Sequence, residues 1–327
     1  MKALQIVKYG EIKDSLSFNE VSKPAILTND VLIEIKAAAI NPIDKSIILG
    51  HLQAMIPIPF PRTIAYDVSG VVVEKGAEVS NLEIGDLVYA RVPQEQMGTV
   101  AEYVAVTSTV VSRKPGNISF EEAASIPLAG LTALQSLEYA GIKANDKVLI
   151  HAGSGGVGSF AIQYAKAKGA YVYTTTSTAN VAWVKALGAD RVIDYKTEDY
   201  KTIVKDADIV FDTLGQNYAL EAFEVIKQGG KVVSVVGPID EETAKMFGMA
   251  DYKLPEELSQ LCSAKEATYK FIFMHPNGAH LEQIKSMIEE EIIKPIIDKV
   301  YPFTESIEAI NHLASGRAKG KIVIKIS

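Results

Sequence analysis

Eight residues, His151-Ala152-Gly153-Ser154-Gly155-Gly156-Val157-Gly158, constrain the fold of this chain more than any other stretch. An apolar run, Val148 to Ala152, leads into them, and a run with helical periodicity, Val157 to Lys168, leads out. Gly153, Gly155 and Gly158 stand at G-x-G-x-x-G spacing. A strand that turns sharply into a helix needs glycine at these places. The first makes the tight turn, the second lets backbone approach a pyrophosphate, and the third lets helix and strand pack closely. The first turn of the helix then offers unpaired N–H groups and a positive dipole end to phosphate. By itself the glycine spacing also fits a ligand-free turn. Strand, helix and following strand in register favour a dinucleotide site, with Gly153, Ser154, Gly155, Gly156, Val157 and Gly158 around the pyrophosphate.

From Lys147 onward, strand and helix patterns alternate. Strands are expected at Val148 to Ala152, Tyr171 to Thr176, Arg191 to Ile193, Asp208 to Asp212, Lys231 to Val236 and Lys270 to Met274. Helices such as Val157 to Lys168 and Thr178 to Leu187 separate them, the latter stopping at Gly188. Strands alternating with helices predict an α/β fold with a doubly wound parallel sheet. Residues 1 to about 118 instead carry short strand patterns punctuated by Gly and Pro, as a compact β-rich domain would. Ser119 and Glu122 form a capping box that opens the helical part, with a break at Pro127. The tail reads as helix, strand, helix and closing strand, ending in Lys321 to Ile326. A chain of 327 residues exceeds the size of most single cores, about 250–300 residues, so two domains are expected. Their predicted limits are 1–120 with 276–327 for the β-rich domain, and 121–275 for the dinucleotide-binding domain.

The second strand of the parallel sheet bears on the choice of dinucleotide. An NAD site ends this strand with an acid that binds the ribose 2′-hydroxyl. Here it ends Thr174-Thr175-Thr176-Ser177-Thr178, with no carboxylate to repel a 2′-phosphate and hydroxyls able to donate to one. NADPH is therefore expected, with Thr176 and Ser177 near the phosphate. The net charge of −7 and interspersed bases give no basic patch for nucleic acid. A single cysteine, Cys262, excludes an intrachain disulfide and a Cys₄ zinc site. The five histidines show no metal-ligand spacing, so no metal is expected. No apolar run approaches the ~20 residues of a membrane span, and the N-terminus reads as a strand rather than a signal peptide. A cytoplasmic protein is expected.

Several segments together resemble one family. They are the loop AGSGGVG, AINPIDKSIILG (39–50), AYDVSGVVVEKGAEV (65–79), LGADRVIDY (187–195) and SGRAKGKIVI (315–324). The chain resembles the medium-chain dehydrogenase/reductase superfamily over nearly its whole length, and within it the zinc-free quinone oxidoreductase and alkenal (enone) oxidoreductase branch. The resemblance implies a GroES-like catalytic domain, a Rossmann domain, NADPH and a homodimer. In zinc-dependent relatives, the stretch matching Ala65-Tyr66-Asp67 carries the metal-binding His, and a Cys ligand falls near Asn41 to Asp44. Here Tyr66 stands in place of that His, and no Cys lies between Asn41 and Asp44.

Carried over position by position, the resemblance places Ser177 and Tyr195 by the adenosine phosphate. Leu214, Gly215 and Gln216 lie along adenine or ribose. Val236, Gly237 and Pro238, with Phe273 and Met274, line the nicotinamide. Asn41, Thr132, Gly320 and Lys321 approach the cofactor. Two positions depart from relatives: Ser46 where the quinone reductases have Tyr, and Ala179 where enone reductases often have a basic residue.

The implied reaction is hydride transfer from NADPH to the β-carbon of an enone or alkenal, or to a quinone. Charge then develops on the carbonyl oxygen, and without a metal it needs hydrogen-bond donors. Tyr66, Asn41 and Lys45 are the candidate catalytic donors, while Asp44 equally suits a helix cap. Two alternatives stay open: a ketone or alcohol dehydrogenase, and a non-catalytic NADPH-binding protein of the sensor or crystallin kind. A small-molecule substrate is the expected partner, with neither nucleic acid nor membrane.

Overall fold

The computed structural model describes all 327 residues, which fall into two compact units. Met1–Leu131 and His275–Ser327 form the first, and Thr132–Met274 the second. No helix is long and apolar enough to cross a membrane.

The first unit is built on strands β1 (Lys2–Ile6), β2 (Leu16–Glu20), β3 (Asp30–Ile40), β4 (Arg62–Thr63), β5 (Asp67–Lys75), β6 (Leu87–Arg91), β7 (Tyr103–Thr107) and β8 (Val111–Arg113). The second unit carries β9 (Lys147–Ile150), β10 (Tyr171–Thr176), β11 (Arg191–Asp194), β12 (Ala207–Asp212), β13 (Ile226–Ser234) and β14 (Thr268–Phe271). The chain then returns to the first unit through β15 (Ile297–Pro302) and β16 (Lys321–Lys325).

In the first unit β3 is the organising strand, pairing β5, β7 and β16. Val31, Leu32, Ile33 and Ile35 fill its first half, and the small Ala37, Ala38 and Ala39 let neighbours close on both faces of its second. Gly70 of β5 faces it so closely that a Cβ there would lie 2.1 Å from the Glu34 carbonyl oxygen, so only glycine fits. The seven-stranded sheet runs β15-β16-β3-β5-β6-β8 with β7 on β3, and β2-β1-β4 form a separate small sheet. Leu4, Ile33, Ile35, Val68, Val88 and Ile322 belong to one continuous core. Tyr89, fully buried, donates its hydroxyl to the Leu281 carbonyl at 2.5 Å and so ties the helix Gly278–Glu289 to the sheet.

All six strands of the second unit run parallel, in the order β11-β10-β9-β12-β13-β14. The order reverses between β9 and β12, and the crevice at the carboxyl ends there is where ligands bind in open parallel sheets. Valine, isoleucine and phenylalanine crowd the central strands because both faces are covered. Several strand limits differ from those expected: β13 begins at Ile226 rather than Lys231, and β14 spans Thr268–Phe271 rather than Lys270 to Met274. β9 stops at Ile150 because Ala152 takes a positive φ of 50° to start the turn. β13 stops at Ser234 rather than Val236, because the Ser234 hydroxyl captures the N–H groups of Val236 and Gly237 and draws them out of the ladder.

Phe211 of β12 is among the largest fully buried side chains. Phe211→Ala should lower the unfolding free energy by about 3–5 kcal/mol, the usual cost of a buried aromatic cavity. Urea titration followed at Trp183, the only tryptophan and a member of the same unit, measures it. A change below about 1 kcal/mol contradicts the packing described.

Candidate functional site

The turn after β9 is shaped by contacts that leave no room for side chains. Gly153 N donates to Thr175 O at 2.9 Å, and a Cβ on Gly153 would lie 2.2 Å from Thr174 Oγ1. At Gly158 a Cβ would lie 2.3 Å from the Ala152 carbonyl oxygen. Gly155 is different, since its Cβ position meets nothing nearer than 3.4 Å, so its glycine leaves space rather than relieving a clash. Gly155 is also the N-cap of the helix Gly156–Ala167 and brings no capping side chain. The first N–H groups of that helix therefore lack the side-chain acceptor that usually serves them. Ser154, Gly155, Gly156 and Val157 are all part-exposed around this helix start. The arrangement fits a pyrophosphate.

Beneath the turn lies His151, fully buried. Its ring packs edge-on against Tyr200 at 4.9 Å and Tyr218 at 5.0 Å, and its Nδ1 is 3.3 Å from Thr175 Oγ1. Burial pushes its imidazole down to about 4, against the pull of the Asp212 carboxylate. The ring is neutral at pH 7 and acts as packing under the turn.

At the end of β10, Thr176 is buried and Ser177 is half-buried, its hydroxyl accepting from Asn180 Nδ2 at 3.1 Å. Tyr195 is 59% exposed, and its N–H donates to Thr176 O. A carboxylate does stand nearby: Asp194 of β11 is in register with Thr176. The Thr178 hydroxyl, outweighing the opposing effect of burial, together with the Lys196 N–H, holds its carboxyl below the usual range. Asp194 is thus turned onto its own neighbours.

The turns after β12 and β13 carry the other predicted residues of this unit. Leu214, Gly215 and Gln216 form the first, with Gly215 and Gln216 at φ of 70° and 53°. Val236, Gly237 and Pro238 form the second, joined to β14 by a hydrogen bond from Tyr269 Oη to Pro238 O at 2.6 Å. Leu214 and Val236 are exposed aliphatics on these turns. Phe273 stands edge-on to Phe247 at 5.1 Å, Met274 is buried, and Thr132 is buried in the helix Pro127–Ala140.

The first unit brings together a second set. Lys321, opening β16, sends its ammonium to Ile40 O at 2.9 Å, to Asp67 Oδ2 at 3.3 Å and to Asn41 Oδ1. Asn41 Nδ2 donates to the same Asp67 oxygen at 2.9 Å, and Leu128 N donates to the other at 2.8 Å. Asn41 N donates to Asp44 Oδ2 at 2.7 Å, so Asp44 is the N3 half of a capping box whose N-cap is Asn41, at the start of the helix Pro42–Ile48. Asn41, Asp44, Asp67, Arg91 and Lys321 are all 6% exposed or less. Burial raises the Asp67 carboxyl, against the Lys321 ammonium and the Asn41 and Leu128 donors. Burial also lowers Lys321, against Asp67 and Asp44. All three protons of the Lys321 ammonium are used within this unit.

Of the three predicted donors, Tyr66 is fully buried with no hydrogen bond to its hydroxyl, and the Arg91 guanidinium lies 4.4 Å from its ring centroid. Burial, then the Asp44 charge, raise its phenol, so it stays protonated. Asn41 is committed to Asp67 and Lys321. Lys45 is half-buried on the helix Pro42–Ile48 and keeps its donors free of ion pairs. Gly320, also expected near the cofactor, has a φ of 81° and a Cβ position 2.3 Å from Ile296 O.

Sequence reasoning missed Asp67 and Arg91 in this cluster, and Asp212 and Ser234 in the other unit. Each is one polar residue closing an apolar strand (Val88-Tyr89-Ala90-Arg91, Ile209-Val210-Phe211-Asp212, Val232-Val233-Ser234) or opening one (Asp67-Val68). That pattern was the available sign, because a polar group buried at a strand end needs partners.

Residues 28–116 match the family model described as alcohol dehydrogenase GroES-like domain, and 187–324 that described as zinc-binding dehydrogenase. The chain is 36% identical over 334 residues to a 2-methylene-furan-3-one reductase of Solanum lycopersicum, covering 99% of this chain and 79% of that one. It is 34% identical to an NADPH-dependent alkenal/one oxidoreductase of Arabidopsis thaliana, with coverage of 99% and 79%. Among solved structures, the quinone oxidoreductase from Coxiella burnetii superposes with a TM-score of 0.88 at 33% identity, covering 100% of this chain and 99% of that one.

Asp44 gives a pH test of the buried cluster. Burial and the Asp67 charge push its carboxyl up to about 7 from an ordinary 3.8, against the Asn41 N–H, Lys321 and Arg91. The folded state therefore holds this proton more tightly than the unfolded chain. The group adds stability that is complete below about pH 4 and is lost as pH rises through about 7. Asp44→Asn keeps an acceptor for Asn41 N but cannot titrate. The urea midpoint of the wild type relative to this variant should rise as pH is lowered from 8 to 5. A gap independent of pH would count against the burial of a protonated Asp44.

Proposed function

The chain belongs to the medium-chain dehydrogenase/reductase superfamily, in its quinone and enone reductase branch, and from that premise we propose that it reduces activated C=C bonds of enones and alkenals, or quinones, with NADPH and without zinc. It is an NAD(P)H oxidoreductase, as its relatives are. The observation that carries the proposal is the glycine turn, where Gly153 and Gly158 close against backbone and neighbour while Gly155 stays open at an uncapped helix start. When bound, the nicotinamide supplies a hydride to the β-carbon of the substrate or to the quinone. The chain must then hold the cofactor and supply donors to the oxygen on which charge collects.

The preference for NADPH rests on the end of β10. No acid ends that strand, Ser177 can donate, and the neighbouring Asp194 is occupied by Thr178 and Lys196 N–H. Ser177→Asp should lower kcat/KM with NADPH by at least 10-fold and raise the NADH/NADPH ratio of kcat/KM. An unchanged ratio would remove this part of the proposal.

A catalytic zinc does not fit the residues present. No three His, Cys, Asp or Glu side chains converge as ligands. At the stretch that carries ligands in zinc-dependent relatives stand Asn41 and Tyr66. There the Lys321 ammonium is already bound by Asn41 and Asp67, and a dication cannot share those oxygens with it. The oxygen of the substrate therefore needs protein donors, of which Lys45 is the accessible uncommitted one and Tyr66 the buried one. We extend the proposal to a homodimer, with β14 available because it forms the outer edge of its sheet.

The decisive assay is NADPH oxidation with methyl vinyl ketone, 2-alkenals and 1,4-quinones, in the presence of EDTA. Turnover insensitive to EDTA is expected, and absence of turnover with every acceptor would remove the proposal. Lys45→Met should lower kcat about 10²-fold, the usual effect of losing one donor to a developing oxyanion. A kcat within 2-fold of wild type would exclude Lys45 from that role.

A further inference from the structure

We propose that Asp212 and Ser234 form a buried positioning pair that presets the turns after β12 and β13 for the dinucleotide, an inference that rests on the NADPH reading above. The two residues are partners in register at the carboxyl ends of adjacent parallel strands, and both are fully buried. Asp212 Oδ1 accepts from Leu214 N at 2.9 Å and Gly215 N at 3.0 Å. Its Oδ2 accepts from the Ser234 hydroxyl at 2.7 Å. That hydroxyl oxygen in turn accepts from Gly237 N at 2.8 Å and Val236 N at 3.3 Å. Two side chains thereby gather four backbone N–H groups, two from each turn, into one connected network.

The two turns also touch each other. A Cβ on Gly215 would lie 2.7 Å from the Val236 carbonyl oxygen, and one on Gly237 would lie 2.7 Å from Ser234 Oγ and 2.6 Å from Tyr269 Oη. Gly215 and Gln216 are held in the left-handed region, which is uncommon for glutamine. Such backbone persists only when its surroundings over-determine it. Asp212 has no cation beside it, so the N–H groups and the hydroxyl carry the whole solvation of its charge. If either turn opens, a buried carboxylate loses donors, so the two turns hold or fail together. On their outer side the same turns present Leu214 and Val236 to solvent, 39% and 51% exposed, at the strand ends beside the switch from β9 to β12. A network this costly to bury, set under two turns with exposed aliphatics at the ligand crevice, is a device for fixing those aliphatics and their backbone against the cofactor. Neither residue touches the reacting atoms; both act through the turns.

The test uses the full-length enzyme and three variants: Asp212→Asn, Ser234→Ala and Ser234→Thr. Ser234→Ala removes the hydroxyl link, and Asp212→Asn replaces one accepting oxygen with an NH₂. Binding of NADPH, measured by quenching of Trp183 fluorescence, should stay within about 5-fold of wild type, because the glycine turn is untouched. Misplacement of the reacting groups by about 1 Å costs on the order of 10² in rate, so kcat should fall 10- to 100-fold. The deuterium isotope effect with 4-deuterated NADPH should rise as hydride transfer becomes limiting, and Ser234→Thr should restore both readouts. A purely structural role would lower the melting temperature without moving the isotope effect, and that result overturns the proposal. So does wild-type kcat in Ser234→Ala and Asp212→Asn. Wild-type protein that binds no NADPH overturns the functional reading and this inference with it. An active wild type with unaffected variants overturns this inference alone.

Discussion

A carboxylate removed from water must be given donors or give up its charge, and in each unit of this chain one such carboxylate sits fully buried where strand meets loop. Asp67 opens β5 and Asp212 closes β12, both with no exposure. The solutions differ. Asp67 is met by an ammonium, an amide and one backbone N–H, so its partners come from three separated stretches of chain: Lys321, Asn41 and Leu128. Asp212 is met by a hydroxyl and two backbone N–H groups close in sequence or in the adjoining strand. The first kind of network fixes distant segments against one another; the second fixes the shape of local turns. Removing one partner from a buried charge typically costs about 3–5 kcal/mol, so neither network tolerates partial assembly.

The glycine turn works by the opposite means, through absence of side chains. Gly158 lets the Ala152 carbonyl come to a distance that any Cβ would occupy, and Gly153 does the same for Thr174. Around this turn the polar groups are spent inward. Thr174 donates to Ile150 O, Thr175 Oγ1 accepts from Ala152 N, and Thr213 donates to His151 O. Only the start of the helix Gly156–Ala167 is left without a capping side chain. An anion is the natural complement of such an end, since dipole and unpaired N–H groups both favour negative charge there.

How much of this could be read from residues alone depends on the range of the interaction. The parallel sheet was legible because its strands are continuous apolar runs broken by helical periodicity, a property of each segment by itself. Tyr171–Thr176 needs no partner to be recognised as a strand. The end of β13 was not legible, because Ser234 ends it by side-chain capture rather than by a proline or glycine stop. The glycine turn was legible for the same reason as the strands. The Asn41–Asp67–Lys321 cluster was not, since its members lie 26 and 254 residues apart along the chain and meet only through the register of β16 on β3 and β3 on β5. For Asn41, Lys45 and Tyr66, sequence could name side chains able to donate. It could not show that Asn41 is already engaged, that Tyr66 is enclosed, or that Lys45 stands in no ion pair.

That difference in commitment bears on the zinc-free chemistry proposed for this centre. A bound dication would act on an oxygen as a Lewis acid and would need three ligand side chains to stay in place. An ammonium held by three acceptors, as Lys321 is, has its charge neutralised by Asp67 and its protons directed inward. It organises the cluster but has little polarising power left to offer. Electrophilic assistance must therefore come from a side chain outside the network. The reaction must also be one in which the acceptor is already activated, because a single hydrogen-bond donor does not replace a metal at an unactivated carbonyl. Conjugated carbonyls and quinones meet that condition, since hydride arriving at carbon leaves its charge on an oxygen stabilised by delocalisation. The proposed substrate class thus rests on how the buried charges are spent as much as on the cofactor turn.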